Sequence, residues 1–591
     1  MTSLVCLARS LKRAVVLLAA INTPAALSAQ SRTAGAQAQA RSFTSSARSP
    51  RAVGSGAPVT IAIEGGARRM LVGATVPHSA RLRDASGAER RDIAVNWSSS
   101  DPNVASVNQF GVLTAVRSGT VTIRATAGAL SAERRYVVEP NPLKSLTLSI
   151  TADQVKTGDV VEVTATAFDG NGYKVPNVPF LYTFTAAVED SAVGQLAPAD
   201  LDQKGRFVAQ KAGDYQIIAV APGLVAHRTI RVANRDMSEH ARVVARAAVP
   251  GSQLADLFAW RARDGRDYAM TCSVGTRNQL VSYKVSDAGL EALDTTSVDA
   301  RAVTDCVVDA ESGLAAVVRE APSGRSAITM FDVTDPRAMK ALGTLEDGLG
   351  AVSGIAISKR TVYAVSDARR LDILSVEDPA HPKRSASLDL ADRSSSGPAT
   401  DVTVTDGYAY VALGKLGMAI VDVGNGKFGG APGKPVRVAG YHAPLSSTHA
   451  AYGVRSRTGK WYAVMSEDLA SDDTSTGMSG QPGFARIVDF SDPTHPEEVA
   501  RYEVPEAGVQ DLWIDGDRLY VAAQNGGMRV VDISADLKGN LYHQGREIAR
   551  YVPGDGAPMP NVVAIQPIAG GGVLAGDRVS GVWLVRLSPR E

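Results

Sequence analysis

A short pattern returns along the chain between residues 240 and 588: an apolar strand, then Asp, an apolar residue, Ser or Thr, and often Asp-Pro. It stands as ITMFDVTDP, LDILSVEDPAHP, MAIVDVGNGK, ARIVDFSDPTHP and MRVVDISAD, with weaker copies LVSYKVSDAG and VWLVRLSP. The aligned positions are Lys284, Asp332, Ser375, Asp422, Asp489, Asp532 and Arg586, at spacings of 48, 43, 47, 67, 43 and 54. A period in the forties, built of strands without helical periodicity, is that of propeller blades. Each repeat holds an inner strand such as TDVTVTDG, a second such as YAYVALG, the IVD strand, and an outer strand such as VRVAGY. Seven IVD strands predict seven blades. The last repeat ends at VWLVRLSPRE without a fourth strand, and RVVARAAVP at 242–250 stands before the first inner strand. That segment is predicted to complete the last blade and so remove an exposed sheet edge.

The AIVDV, RIVDF and RVVDI cores, and the run AAQNGGMRVVDISADLKGNLYHQGREIARY, resemble the LVIVD-repeat family of extracellular bacterial propellers. Blades one and seven depart from it in lacking the Asp. The resemblance implies a fold and a surface context, and no defined reaction.

Ahead of the repeats, VTIAI, IAVNW, GVLTAV and TVTIRATA alternate apolar and polar residues, as strands with one buried face must. About seven such strands in residues 58–139 predict an immunoglobulin-like sandwich with Trp97 as its core aromatic. NWSSSDPNVASVNQFGVLTAVRSGTVTIRATAG is similar to the bacterial Ig-like group 2 domain. That resemblance implies a spacer or adhesion module. Residues 143–233 read as a second sandwich, and AFDGNGYKVPNVPFLYTF with KGRFVAQKAGDYQIIAVA resembles invasin-type Ig-like domains. Asp169-Gly170-Asn171-Gly172 reads as a tight turn, with a calcium loop as the alternative. The fold expected is therefore all-β: two Ig-like β-sandwiches followed by a seven-bladed β-propeller. Asn234 to Glu239 reads as an exposed, protease-sensitive junction between them.

Arg9, Lys12 and Arg13, the apolar run Ala14 to Ile21, Pro24 and the small residue Ala29 give residues 1–29 the grammar of a secretory signal peptide. Residues 30–57, rich in Ala, Ser, Gly, Gln and Arg, read as a disordered linker. Export to the periplasm, cell surface or extracellular space follows. The formal net charge of +1, from 62 basic and 61 acidic residues, argues against nucleic acid as the partner. No stretch is long and apolar enough to predict a transmembrane segment in the mature chain. Three Cys leave no Cys-based zinc cluster to expect. Cys272 and Cys306 fall on the second strand of blade one and the inner strand of blade two. Facing sheets bring such positions to disulfide distance; two small core residues are the alternative.

No H-E-x-x-H, C-x-x-C or G-x-S-x-G pattern occurs, so no catalytic residue is assigned. The Asp of the IVD motif is read as a turn anchor, because it recurs blade after blade. A second repeated Asp opens the inner strands: Asp256, Asp305, Asp401 and Asp511, with Gly354, Tyr452 and Asn561 assigned to the same place in blades three, five and seven. Inner-strand starts ring one mouth of a propeller channel. The position reads either as turn capping or as a carboxylate ring for a polar ligand or a cation, Ca2+ included.

The spacing of 67 places extra residues in SEDLASDDTSTGMSGQPGF of blade five, on the same face. Glu467, Asp468, Asp472 and Asp473 make that loop acidic. His449 with Asp468 is a metal alternative to a solvated loop. Arg277, Arg319, Arg325, Arg369, Arg370, Lys415 and Arg578 fall in the neighbouring loops. The ligand contacts expected are the four inner Asp residues, the four acidic loop residues, and Arg369 and Arg370. The expected function is non-catalytic binding of a protein or glycan at the channel mouth. A metal-dependent hydrolase using the Asp ring, and a structural assembly platform, are the rivals.

Overall fold

The computed structural model describes residues 57–64, 68–85, 89–90, 93–188, 197–249, 252–275, 278–321, 324–390, 397–443, 446–469, 482–554 and 559–590. The signal peptide, nearly all of the linker, and loop residues Asp472 and Asp473 lie outside them. Every regular element among these residues is a strand, and none is a helix long and apolar enough to cross a membrane.

In the first sandwich, Gly119–Ala127 buries every second side chain, as its sequence alternation requires. It pairs antiparallel with Leu130–Glu139, which also takes Arg69–Leu71 as a parallel neighbour. Tyr136, fully buried, centres the core with Ile123 and Leu113, and its hydroxyl bonds the ring of His78. Trp97, expected there, is only partly buried and packs at the edge. Its ring covers Gly111, where a Cβ would stand 2.9 Å from the indole and φ is +78°. The second sandwich is two four-stranded sheets around Phe207, Tyr215 and Ile217. Its Asp169 turn is closed by the carboxylate accepting from the N–H groups of Asn171 and Tyr173, as the turn reading requires.

From residue 252 the chain makes six consecutive four-stranded antiparallel meanders and a three-stranded seventh. Glu239–Ala247 pairs with Gly581–Pro589 and supplies the fourth strand of the last, as predicted. The first strands are Ser252–Arg261, Ala302–Asp309, Val352–Ser358, Asp401–Thr405, Ser446–Arg455, Asp511–Asp515 and Val562–Ile568. Each packs beside the next, and the seventh beside the first, so the ring is closed. Second strands such as Tyr408–Ala412 are buried on both faces. They therefore read as unbroken apolar runs instead of alternating ones. The apolar core is accordingly divided into seven layers, one between each pair of neighbouring blades.

The junction at 234–239 leaves Asn234, Asp236 and Ser238 exposed, but it is pinned at Arg235. Arg235 reaches Asp532 of blade six at 2.9 Å and Asp159 of the second sandwich at 2.5 Å. Blade six carries an insertion between Gly527–Asp532 and Glu547–Tyr551, and this insertion meets the sandwich. There Lys538, almost fully buried, holds Asp200 and Asp202 at 2.9 and 3.0 Å. Arg546, also buried, donates to the Gly158 carbonyl at 2.7 Å, and Thr157 donates to that of Gln544 at 2.8 Å. Buried charge pairing of this kind fixes one docking geometry, because each group left unpaired would carry its full desolvation cost.

Candidate binding site at the channel mouth

Five inner strands carry a β-bulge one residue before the ring position: at 254/256, 303/305, 352/354, 448/450 and 562/564. In blades four and six the same bulge shows in Thr400 and Gln510, which donate to the carbonyls of Ala412 and Ala522, the partners of Asp401 and Asp511. This register gives the ring as Asp256, Asp305, Gly354, Asp401, Ala450, Asp511 and Ala564. Tyr452 and Asn561 are thereby corrected: the extra bulge residue moves the true positions to Ala450 and Ala564. Bulges re-aim side chains at rims, and a motif without its ladder cannot show them.

The four ring carboxylates are half-buried. Among the described residues no Lys or Arg forms an ion pair with any of them. Asp305 accepts from the Ile355 N–H of blade three at 2.8 Å. Asp511 accepts from the Ile565 N–H of blade seven at 3.0 Å and from Leu512 at 2.7 Å. These two link one blade to the next, a role neither turn capping nor ligand binding anticipated. Asp401 lies against Gly354, where a Cβ would stand 2.7 Å from its Cα and 2.9 Å from its Oδ1. Gly in blade three is what leaves room for it.

Burial, then repulsion from Asp305 and a shared hydrogen bond, holds Asp256 well above the carboxylate range. Burial also raises Asp305, which hydrogen bonds from Asp256 and the Ile355 N–H partly offset. Burial and then Asp305 and Asp511 push Asp401 well up. Burial takes Asp511 up to about 7. Four carboxyl groups thus crowd one end of the channel, and none has a cation to relieve it.

The blade-five residues separate. Glu467 is fully buried, accepting from Arg486 Nε at 2.7 Å and Thr448 Oγ1 at 3.3 Å. It braces the blade and does not face a ligand. Arg486 also holds Glu498 at 2.5 Å. Asp468 stands 3.1 Å from His449 Nε2, both largely covered. Among the described residues the pair gathers no third metal-ligating group within reach.

Arg277 lies outside the described residues, and three of the other basic rim residues, Arg319, Arg369 and Arg370, are committed inside the fold. Arg370 grips the buried Asp372, at 3.0 Å from Nε and 2.8 Å from Nη2, and donates to the Gly348 carbonyl. Arg369, at φ 54°, donates to the Gly397 carbonyl at 3.0 Å. Arg319 holds Glu346 at 2.6 Å, and Arg325 lies 3.9 Å from both Glu346 and Asp347. A rim whose charges are paired offers little field to an anionic polymer.

Cys272 and Cys306 are buried and free, so the disulfide is not formed in this structure. Hydrogen bonding to Cys272, and then burial, raises the Cys306 thiol well above its usual range. Cys272 faces Asp256 across the ladder. Sequence spacing does not reveal this trio, because it joins three strands of two blades.

Two sandwiches in series with a closed ring of four-stranded sheets define a modular β protein. Residues 67–137 match the bacterial Ig-like domain (group 2), and 396–426, 485–504 and 508–537 match the LVIVD repeat. The chain therefore carries a group 2 bacterial Ig-like domain and LVIVD repeats. None of the curated proteins compared matches it. Among solved structures, U3-55K is 11% identical with a TM-score of 0.40, covering 58% of this chain and 98% of that one. The computationally designed Ika8 protein is 11% identical with a TM-score of 0.37, covering 58% and 99%.

Proposed function

We propose that this is an exported surface or periplasmic binding protein, in which docked Ig-like domains present a propeller that takes a protein or glycan partner at its channel mouth. The Ig-like domain and LVIVD repeats fit a surface or adhesion-type protein in general. The observation that carries the channel-mouth reading is the ring of carboxyl groups without a paired cation. Asp305 and Asp511 spend acceptor capacity on backbone N–H groups, yet among the described residues no Lys or Arg pairs with any of the four, whereas Glu467 and Asp372 each hold an Arg. An amine or guanidinium on the partner, from a Lys or Arg side chain or an amino sugar, supplies the missing charge. A partner that brings charge complementary to desolvated groups gains specificity from it.

The test is binding of the full mature chain to glycan arrays and to purified envelope proteins, wild type against the double substitution Asp401→Asn and Asp511→Asn. Loss of a captured partner with the far-ultraviolet spectrum unchanged supports the reading. A partner that still binds this variant, and binds residues 57–233 alone, overturns it.

A further inference from the structure

Behind the channel wall, where blades one and two meet, the carboxylate of Asp256 and the thiols of Cys272 and Cys306 lie within 4.8 Å of one another. They come from the first and second strands of blade one and the first strand of blade two. Both thiols are fully buried, while Asp256 keeps partial exposure. The Cys272 thiol rests 3.7 Å from the Asp256 backbone carbonyl. Both thiols belong to the buried apolar layer between the two blades, with Val303, Met270 and Leu280 among its members.

We propose that Asp256, Cys272 and Cys306 form a site for one borderline-soft divalent cation of the Zn2+ class. Two sulfurs and one carboxylate oxygen are a donor set that favours Zn2+ over the all-oxygen preference of Ca2+ or Mg2+. Ligands of a tetrahedral zinc at about 2.3 Å stand about 3.8 Å apart, so the trio closes on an ion by movements of about 1 Å. Asp305, hydrogen-bonded to Asp256, is the outer partner that orients the ligating carboxylate, as metal sites usually require. A dication also answers the accumulation of acidic groups where no Lys or Arg pairs with them. The channel gives the ion its path in, through the exposed edge of Asp256, and leaves the fourth position to water or to a ligand donor. The ion would clamp blade one to blade two, adding to their apolar layer and to the one ladder pair their sheets share, Val274 and Ala302. This site goes beyond the partner-binding reading: it takes Asp256 for the ion and leaves Asp305, Asp401 and Asp511 to the partner.

The experiment uses the full mature chain purified under reducing conditions. Zn2+ alone is the probe, with elemental analysis after dialysis, titration against a chelating dye, and thiolate charge-transfer absorption after Co2+ replacement. One metal per chain is expected, with the charge-transfer band present. Asp256→Asn, which preserves the side-chain volume, should weaken Zn2+ binding ten- to a hundredfold. Cys306→Ser should cut the band to half or less, Cys272→Ser with Cys306→Ser should abolish it, and Asp401→Asn with Asp511→Asn should leave stoichiometry at one. The proposal is overturned if Zn2+ binds no better to wild type than to a folded Cys272→Ser, Cys306→Ser chain. It is equally overturned if thiol mapping of unreduced native protein finds Cys272 and Cys306 bonded to each other. Because Asp256→Asn and the Asp401, Asp511 pair are separate variants, loss of metal and loss of partner are told apart.

Discussion

The propeller repeats Asp in two places, and the two sets are opposites. At the ends of the third strands, Asp332, Asp422, Asp489 and Asp532 accept from backbone N–H groups two residues on, at 2.9, 3.2, 2.8 and 2.9 Å. Asp332 is held below the usual carboxylate range by the Thr334 hydroxyl and N–H. Burial would raise Asp422, but four N–H groups, from Gly426, Phe428, Gly424 and Gly430, outweigh it and hold it low. At the starts of the first strands, burial and neighbouring carboxyl groups drive Asp256, Asp305, Asp401 and Asp511 the other way. Recurrence alone therefore says nothing about role. What separates the two sets is the balance: the donors outweigh burial at Asp422, and burial outweighs the N–H groups at Asp305 and Asp511.

The largest effect should come from Asp422. Asp422→Ala takes the buried acceptor from four N–H groups, of which those of Gly424 and Gly426 lie on exposed residues that water can reach, and should cost about 2–3 kcal/mol in chemical denaturation. A loss below about 0.5 kcal/mol would remove the anchor reading. Asp532→Ala comes next, because it loses the turn and the Arg235 ion pair together. Expected are a loss of about 1–3 kcal/mol and new proteolytic cleavage between residues 234 and 239. Wild-type cleavage there at the same rate would mean the docking is not tight.

The inner set predicts a smaller change of opposite sign. Asp511 in the folded chain titrates near 7, above its unfolded value near 4. Between those limits the folded state holds a proton that the unfolded state has released. Stability therefore falls as pH rises from about 4 to 7. For Asp332 and Asp422 the contribution is present above the unfolded value and is lost as pH falls through their lowered ones. Asp511→Asn should then flatten the slope between pH 4 and 7 and raise stability at pH 8 by roughly 1–2 kcal/mol. A steeper slope in the variant would break the contrast. The smallest effect belongs to the rim. Arg325→Ala should change stability by no more than about 0.5 kcal/mol. Arg370→Ala should cost about 1 kcal/mol by loosening the buried Asp372, which keeps Arg384 at 3.1 Å. Equal melting curves for these two variants would show that Arg370 is as free as Arg325.

Much of the fold was legible because repetition writes it many times. The IVD copies located the third strands, and the missing outer strand of the last repeat pointed to its replacement near residue 242. The ring position was half legible: an Asp can be seen in four repeats, but the bulge that places Ala450 and Ala564 cannot. Glu467 looked like loop acidity, because its partner Arg486 is 19 residues away on the adjacent strand. The sandwich-to-blade docking did leave a trace. The spacing of 54 after Asp532 exceeds its neighbours, and the extra residues include Lys538 and Arg546. Their partners, Asp200, Asp202 and Gly158, lie in another domain, and a repeat alignment carries no information across that distance.

The strand that closes the ring has a consequence in time. Glu239–Ala247 is synthesised more than three hundred residues before its partner Gly581–Pro589. Until Gly581–Pro589 emerges, the circle cannot close, and the nine-residue strand Glu239–Ala247 waits with its pairing edge bare. Non-local pairing of this kind is slow to form, and the bare edge is a template for pairing with other chains. Ending the chain even ten residues early would leave every blade but one intact, yet deny the circle its clasp. Gly581–Pro589 thus acts as a latch, by which a chain that has completed the circle is distinguished from one that has not.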